Sequence, residues 1–487
     1  TVYYGGAVGA QNGTLVIDNC TFARNKLDGY GGNNGNVCPR GGAVGAYRAA
    51  VTIRHSTFDR NWTRSVHARG YGGGAIGLKE CPVVVIDNCT FTTNFARTSD
   101  GASNYLPRDQ WGHGPYGGTI YIADSPSAVI RDSTFLGGWS ASFGTGRLTW
   151  GWGGLMFFFN SNVALTRTTV YGAGESGYTS GGIYNWAWGS IDIQGGSLHM
   201  TNVLHGASYS GWLLGNNGGT IEAVNCTLAG ARQHGSTLRA TTAYVQRDGS
   251  ATFKNCIFWD NAEGDMLIVG GTAPAFTYCI TETLQPGIGN STNNPGFADN
   301  VYFHPMSAAG RYSGGWLGGG TWVTTDTATS PSIDAGAPAD AFGAEPQPNL
   351  RRINLGYDGG TDVASKSVVD SSPLVFENEL KVVAYAATDI RGDGATVSAD
   401  VASTGGGDNP EVILVYGDTD AGTSATNDWS NVVHLGTHAP WELVSHDIRD
   451  FAGSTAYYRF VAVSSQGTDW SDPARSFVIG TAPAIAY

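Results

Sequence analysis

Three residues with potentially catalytic side chains occur close together in one loop-like stretch. Arg108, Asp109 and His113 stand in the sequence Arg-Asp-Gln-Trp-Gly-His. On a polysaccharide, a carboxylate and an imidazole can act as general base and acid while a guanidinium stabilises negative charge, as a lyase or glycosidase requires. No lyase or hydrolase signature accompanies them. The catalytic residues therefore stay unknown, these three are candidates, and the sequence favours a protein that is not an enzyme.

Aromatic side chains form a second group that could contact a ligand. Tryptophan and tyrosine have large, flat, amphipathic side chains that suit sugar faces, but they also fill cores and form protein interfaces. Tyr184, Trp186 and Trp188 alternate along one strand-like segment, so they share one face of it. Packing, glycan binding and protein contact stay open for the whole group, which is Trp111, Trp139, Trp150, Trp152, Tyr184, Trp186, Trp188 and Trp212.

The catalytic candidates and the aromatic residues both lie in a region that is built from a repeated sequence phrase. Residues 15–22, Leu-Val-Ile-Asp-Asn-Cys-Thr-Phe, return with variations as residues 51–58, 84–91 and 128–135, and weaker copies continue to about residue 281. A repeat of this length cannot bury its own apolar face and must stack on copies of itself. One small residue marks each copy, and these markers are Cys20, Ser56, Cys89, Ser133, Thr168, Thr201, Cys226, Cys256 and Cys279.

Each copy has the chemistry of strands and turns. Short β-branched runs are bounded by Gly, Asn, Asp and Ser, and no helical periodicity is present. The pattern predicts one coil of a parallel β-helix, in which Leu15 and Ile17 point inward and Asp18 and Asn19 turn a corner. Equivalent residues would then stack about 4.8 Å apart, with the markers in a single internal column.

This pattern resembles the right-handed parallel β-helix repeats of bacterial surface proteins, including the polymorphic outer-membrane-protein type with its Gly-Gly-Ala and Asn-Ser/Cys-Thr-Phe phrases. The resemblance covers residues 1–292 and implies an all-β, right-handed parallel β-helix of about nine coils. Residues 293–364 look like the segment that closes such helices, and the expected role is a C-terminal cap. Related β-helices serve as lyases, glycosidases, adhesins and fibres, so the resemblance leaves the function open.

The remainder of the chain reads as a second domain. Residues 365–376 form a linker, and residues 377–480 contain seven strand-like runs with the alternation of a β-sandwich. The phrase at residues 456–467 resembles a fibronectin type III domain. An extended tail, residues 481–487, follows the last strand.

Composition limits the partners. The formal net charge is -13, which disfavours nucleic acid and anionic membranes, and no transmembrane segment is present. Cys38 and Cys81 lie outside the marker column, and a disulfide between them is possible in an exported protein. No Cys/His cluster indicates a metal, and no cofactor is expected. The alternative to this expectation is a Ca²⁺ site formed by Asp334, Asp358 and Asp362, although their spacing matches no calcium loop.

The first coil is the expected assembly edge. Val2, Tyr3 and Tyr4 run directly into Gly5 with no capping segment before them, and an open coil can accept a strand from a neighbouring chain. The tail residues Ile485 and Tyr487 are candidates to supply it. The sequence therefore predicts a non-enzymatic structural or adhesive protein, extracellular or on a bacterial surface, that assembles end to end. The expected partners are further copies or a polysaccharide, and the alternative is a carbohydrate-active enzyme or glycan-binding protein.

Overall fold

The computed structural model describes two compact units, Thr1–Val368 and Val369–Tyr487. It describes the chain outside residues 1–3, 30–39, 66–71, 99–111, 143–148, 153, 174–185, 188–189, 207–211, 233–241, 316–318, 351, 369–379, 386, 441 and 480–487. In the described residues the regular structure is β, apart from one 3-10 turn at Thr426–Asp428. No described helix is long and apolar enough to cross a membrane.

The first unit begins with four coils of short strands. In chain order they are β1 Tyr4–Gly5, β2 Val8–Gln11, β3 Thr14–Asp18, β4 Thr21–Ala23, β5 Lys26–Gly29; β6 Arg40–Gly41, β7 Val44–Tyr47, β8 Ala50–Arg54, β9 Thr57–Asp59, β10 Trp62–Ser65; β11 Ile76–Lys79, β12 Val84–Asp87, β13 Thr90–Thr98; and β14 Gly112–Tyr116, β15 Ile120–Ala123, β16 Ala128–Arg131, β17 Thr134–Ser142.

In the later coils several strands run without interruption around the corners. They are β18 Thr149–Trp152, β19 Met156–Ala173; β20 Trp186–Ala187, β21 Ile191–Gly206; β22 Trp212–Val224, β23 Thr227–Ala229; β24 Thr242–Lys254, β25 Ile257–Trp259; and β26 Met266–Ile268, β27 Ala275–Thr277.

Parallel pairing between successive coils builds three faces. Face A stacks β2, β7, β11 and β15, face B stacks β3, β8, β12 and β16, and face C stacks β4 and β9 on the starts of β13 and β17. Successive stretches of the long strands continue all three faces. A fourth ladder, here called the extension sheet, joins β5, β10 and the ends of β13 and β17. The predicted parallel β-helix is confirmed.

The interior is built from columns of like residues. Phe22, Phe58, Phe91 and Phe135 stack with ring centroids 4.9, 4.8 and 4.5 Å apart. The register of the small-residue column follows the prediction except in one coil, where Thr168 pairs with Val203 and not with Thr201. Its first member, Cys20, is exposed and not internal as predicted. Thr201 is exposed. The prediction for Thr201 was therefore wrong by two residues, because the corner at Asn202 lies between it and the column residue of this coil, the buried Val203.

The corner before this column requires a left-handed backbone. Its residue has φ between 43° and 53° in every coil, as at Asn19, Asn88 and Asn255. Asparagine and aspartate tolerate this conformation better than other side chains do. This requirement explains why the phrase Asp-Asn-Cys recurs, and it confirms the predicted corner.

The repeated Gly-Gly pairs lie where consecutive coils touch. A Cβ atom on Gly42 would lie 2.0 Å from the carbonyl oxygen of Gly74, and one on Gly74 would lie 2.1 Å from that of Gly118. Any side chain at these positions would therefore push the coils apart.

Residues 293–368 lie along the side of the later coils. The side-chain amide of Asn202 donates to the carbonyl oxygens of Tyr357 and Gly359, both at 2.8 Å. Phe303 packs on Leu204, and the antiparallel pair β28 Arg311–Gly315 and β29 Gly319–Val323 lies within this segment. The last coil itself is extended by a parallel bridge from Ile280 to Ser291.

The second unit contains two antiparallel sheets around a shared apolar core. The strand orders are β30-β31-β34 and β33-β32-β35-β36, with β37 also on β35. Whether this unit is a fibronectin type III domain stays a prediction. The bounds are β30 Leu380–Ala384, β31 Ala395–Thr404, β32 Glu411–Gly417, β33 Asn431–Thr437, β34 Leu443–Ile448, β35 Thr455–Ser464, β36 Gly467–Trp470 and β37 Arg475–Val478.

Candidate functional site

One corner of the solenoid, here called the connection corner, lies between the end of face C, or of the extension sheet, and the start of face A in the next coil. The sequence segments that connect successive coils fall between these described strands. Arg108, Asp109, Trp111 and Tyr184 belong to these connections, and so do the residues before Trp212. The first four lie outside the described residues, as does Trp188. Their predicted roles in catalysis or ligand contact therefore stay predictions.

A small parallel sheet of β14, β18 and β20, here called the outer sheet, lies at this corner. The Cα partner of His113 is Trp150, and the partner of Trp150 is Trp186. Tyr116 is paired with Trp152 on the same strands. The backbone register therefore aligns His113, Trp150 and Trp186 across three coils, about 4.8 Å apart.

The neighbouring extension sheet carries a second aromatic row whose rings stack on one another. Trp62 and Phe95 have centroids 5.5 Å apart, and those of Phe95 and Trp139 are 4.4 Å apart with planes within 5°. Because the rings cover each other's faces, Phe95 has no open face for a sugar, and Trp139 has one face occupied. In this row the described contacts favour packing over glycan stacking.

Trp212 is a buried packing residue. Its exposed fraction is 3%, and its indole Nε1 donates to Asp192 Oδ1 at 2.9 Å. The guanidinium of Arg247 lies 5.5 Å from the ring centroid. The ring is therefore covered and positioned by polar neighbours, and its predicted role as a surface contact has no support from this geometry.

The carboxylates at the corner between faces B and C are held in ion pairs. Asp87 accepts from Arg131 at 2.8 Å, Asp132 from Arg167 at 2.6 Å, and Asp18 lies 2.8 Å from His55 Nδ1. Acidic and basic side chains from successive coils alternate along this corner, which fits a role in coil stacking. These residues form no paired carboxylate site for hydrolysis.

Cys81 belongs to a second internal column. It is fully buried, its backbone N–H donates to Ser125 Oγ at 3.1 Å, and the N–H of Ser125 donates in turn to Ser161 Oγ. Burial raises the pKa of its thiol, although hydrogen bonds from the backbone oppose the shift. Cys38 lies outside the described residues, so the proposed disulfide stays a prediction.

The first coil is paired on one side only within the described part of the chain. Strands β2 to β5 pair with β7 to β10, and Tyr4 pairs with Arg40. Val8, Ala10 and Leu15 reach the core but are only partly buried. Val2, Tyr3, Ile485 and Tyr487 lie outside the described residues, so their predicted roles at an assembly edge stay predictions.

A buried polar cluster lies in the segment beside the coils. His304 Nδ1 lies 3.0 Å from Asp358 Oδ2, and its Nε2 lies 2.8 Å from the carbonyl oxygen of Gly314. Burial disfavours charge on this imidazole, but the hydrogen bond and charge of Asp358 outweigh it and raise the pKa. Burial of the Glu345 carboxyl disfavours its charged form and raises the pKa of this group to about 8.

These contacts bear on the calcium alternative. Asp358 faces His304, and Asp334 accepts from Leu350 N–H and Ser367 Oγ. Among the described residues no group of three or more potential ligands is arranged to hold a metal ion.

One pair of candidate residues escaped the sequence interpretation. Arg64 and Arg97 are Cα partners on neighbouring strands of the extension sheet. A sequence signal for them exists, because Asn61-Trp-Thr-Arg64 and Asn94-Phe-Ala-Arg97 repeat one phrase a single coil apart. The alternation of a strand then places both arginines on the outer surface beside the aromatic row.

Comparisons with known proteins agree with the fold of the first unit. Residues 2–197 match the family model described as right handed beta helix region. The sensor domain of the anti-sigma factor RsgI4 in Pseudobacteroides cellulosolvens is a solved structure with 17% identity, covering 22% of this chain and 96% of its own, with a TM-score of 0.16. That score carries no structural argument. No curated protein matches the chain. The family match over residues 2–197 and the stacked parallel coils described above agree that the first unit has the right-handed β-helix fold.

Proposed function

We propose that the protein is a non-catalytic structural or adhesive scaffold outside a bacterial cell. The observation that carries this proposal is the continuous stack of parallel coils, whose paired strands and stacked phenylalanines make the first unit a rigid solenoid. Binding residues concentrate on loops that a rigid scaffold positions. The sequence resemblance to bacterial surface repeats supports the location.

An activity screen tests the non-catalytic part. The intact chain is incubated with polysaccharides rich in uronic acid and with sulfated polysaccharides, and product length is followed by size-exclusion chromatography. We expect no shortening of the polymers. Cleavage that is lost in Asp109→Ala or His113→Ala would overturn the non-catalytic proposal and show that the protein is a carbohydrate-active enzyme.

Glycan binding is the second candidate, and the row of His113, Trp150 and Trp186 on the outer sheet favours it. If the row contacts sugar, glycan-array binding without turnover should be weakened by Trp186→Ala. Trp212→Phe is the matched control because Trp212 is buried. Equal binding by the unmodified chain, Trp186→Ala and Trp212→Phe would show that the outer sheet does not contact the glycan.

End-to-end assembly has its own observation, the outward edge of β3 in the first coil, which pairs only with the second coil within the described residues. The carbonyl oxygen of Gly13 accepts from Ala50, and the N–H of Asn19 donates to Arg54. Because N–H directions alternate along a strand, that of Val16 points away from the second coil. The Val16 side chain is 65% exposed, so in the described part of the chain this edge presents a backbone donor and an apolar side chain.

Val16→Pro tests this edge. Proline removes the outward donor without removing a bond to the second coil, and edge strands tolerate it. If copies associate here, the substitution should abolish assemblies seen by light scattering, whereas Val16→Thr, which keeps the donor, should preserve them. Dispersed monomers of the unmodified intact chain would rule out the assembly proposal.

A further inference from the structure

The outer surface of the extension sheet carries two columns of side chains. One column contains Lys26, Trp62, Phe95 and Trp139, and the other runs from Asp28 to Arg64 and Arg97. Strand alternation places all of them on the side that faces away from the core.

Arg64 and Arg97 are neighbours of like charge. They are Cα partners on adjacent parallel strands, about 4.8 Å apart. Like charges directly opposite each other destabilise a sheet. In the described part of the chain neither guanidinium has a carboxylate partner, and the Nε of Arg97 is buried without a hydrogen-bond acceptor. The arginines at the corner between faces B and C are different, because Arg131 and Arg167 each hold an aspartate.

The aromatic column gathers further positive charge. Lys26 Nζ lies 4.6 Å from the ring centroid of Trp62, and the guanidinium carbon of Arg97 lies 4.5 Å from it. Lys26 comes from the first coil and Arg97 from the third, so Trp62 is held between two cations. Lys26 also pairs with Asp28 at 2.6 Å. Asp28 is the Cα partner of Arg64, but in the described residues no ion pair joins them.

This concentration of cations occurs in a chain with a net charge of -13. Two adjacent guanidinium groups present several N–H donors in fixed geometry, which matches the oxygens of carboxylate and sulfate groups. An anion bound between them would relieve the repulsion and give the Arg97 Nε an acceptor. The stacked rings hold the two coils that carry these arginines in register, and Trp62 positions the Arg97 guanidinium against its ring.

We infer that Arg64 and Arg97, with Trp62 and Lys26 beside them, form a binding site for an anionic group carried by a polysaccharide. The group is a carboxylate of a uronic acid or a sulfate ester. The choice of a polysaccharide as carrier rests on the proposed adhesive function, whereas the anion site rests on the arginine pair alone.

Binding of three polymers tests the site. Polygalacturonate, dextran sulfate and neutral dextran are titrated onto the intact chain at low salt and at about 0.15 M salt. We expect binding of an anionic polymer and none of neutral dextran, with affinity that falls as salt rises. The preferred anionic polymer distinguishes carboxylate from sulfate.

The variant Arg64→Gln/Arg97→Gln should weaken binding by about tenfold or more, because two charge-assisted contacts are lost. Arg54→Gln is the matched control for charge, since Arg54 is exposed at the end of β8 on another face. It should bind as the unmodified chain does. Circular dichroism and thermal unfolding confirm folding, and loss of the arginine repulsion should leave the double variant at least as stable.

Three results would overturn the site: no binding of either anionic polymer, equal binding of neutral dextran, or equal weakening by Arg54→Gln. Free sulfate and acetate are included as competitors. Competition by the free anions with no polymer binding would show an anion site without a polysaccharide carrier and would overturn the inference as stated. None of these outcomes involves polymer cleavage or edge assembly, so the scaffold proposal is decided separately.

Discussion

Asn61 and Asn94 lie one above the other in consecutive coils, with Asn61 Nδ2 donating to Asn94 Oδ1 at 3.0 Å and both side chains fully buried. Asn25 in the first coil donates to Asn61 Oδ1 at 2.8 Å. Each amide also serves the backbone, because Asn61 donates to the carbonyl oxygen of Phe22 and Asn94 to that of Phe58. The ladder therefore joins three coils at the turn between face C and the extension sheet.

Replacing Asn61 by alanine should lower the free energy of unfolding of the first unit by about 2–4 kcal/mol. The change removes the side-chain partner of the Phe22 carbonyl oxygen and of the Asn25 N–H, while Asn94 Oδ1 keeps only the backbone N–H of residue 61. A buried unsatisfied polar group costs roughly 1–3 kcal/mol. Urea denaturation followed by tryptophan fluorescence measures the effect. Asn25→Ala, at the partly buried end of the ladder, is the control and should cost less.

Gly42→Ala should be among the most damaging single substitutions in the first unit. The new Cβ would meet the carbonyl oxygen of Gly74 at 2.0 Å, and backbone on both sides prevents relief. We expect a loss of more than about 3 kcal/mol, in the range of the severest packing changes. Gly343→Ala is the control, because nothing lies within 4 Å of its Cβ position. Equal thermal unfolding of the two variants would contradict this account of the Gly-Gly pairs.

The repeat was predictable because its corner makes a strict conformational demand. Only a few side chains tolerate the left-handed backbone there, and the following residue must be small, so the two requirements recur in the sequence. The error at Thr201 shows that the corner residue marks the position of a coil better than the small residue does. Asn202 occupies the corner with φ of 53°, and Val203 follows it in the column. Alignment on the corner asparagine would have placed this coil correctly.

The candidate site was less predictable because it depends on loop lengths. Connections of very different length separate β13 from β14 and β17 from β18, yet His113 and Trp150 become direct Cα partners. No pattern in one sequence reports such a pairing. The role of Cys81 was hidden in the same way, since its stacking partner Ser125 is 44 residues away.

Trp212→Phe separates packing from ligand contact within the aromatic group. The substitution removes the indole N–H that donates to Asp192 and leaves the ring volume partly filled. We expect the first unit to lose about 1–3 kcal/mol of stability, as for a broken buried hydrogen bond to a charged group. Glycan-array signals should not change. A variant that folds as stably as the original would show that the bond contributes little.

Residues 293–368, the segment beside the coils, should be more stable against local opening at low pH than at high pH. Glu345 is buried, and its pKa rises from 4.5 to about 8. The folded state therefore keeps a proton that the unfolded state releases above pH 4.5, and stability falls as pH rises from about 4.5 to 8. The raised pKa of His304 acts in the same direction, because the stability from its contact with Asp358 is lost as pH rises through the folded pKa.

Hydrogen–deuterium exchange of peptides from residues 340–360 measures this effect after correction for intrinsic exchange. The opening free energy should fall by about 2–4 kcal/mol between pH 5 and pH 8. Glu345→Gln, which cannot ionise, should flatten most of the slope. The second unit supplies an internal control of opposite sign, because hydrogen bonds from Arg459 lower the pKa of Asp420 and its stabilising contact is lost only as pH falls. A slope in residues 340–360 that survives Glu345→Gln would assign the pH dependence to the His304–Asp358 pair instead of to Glu345.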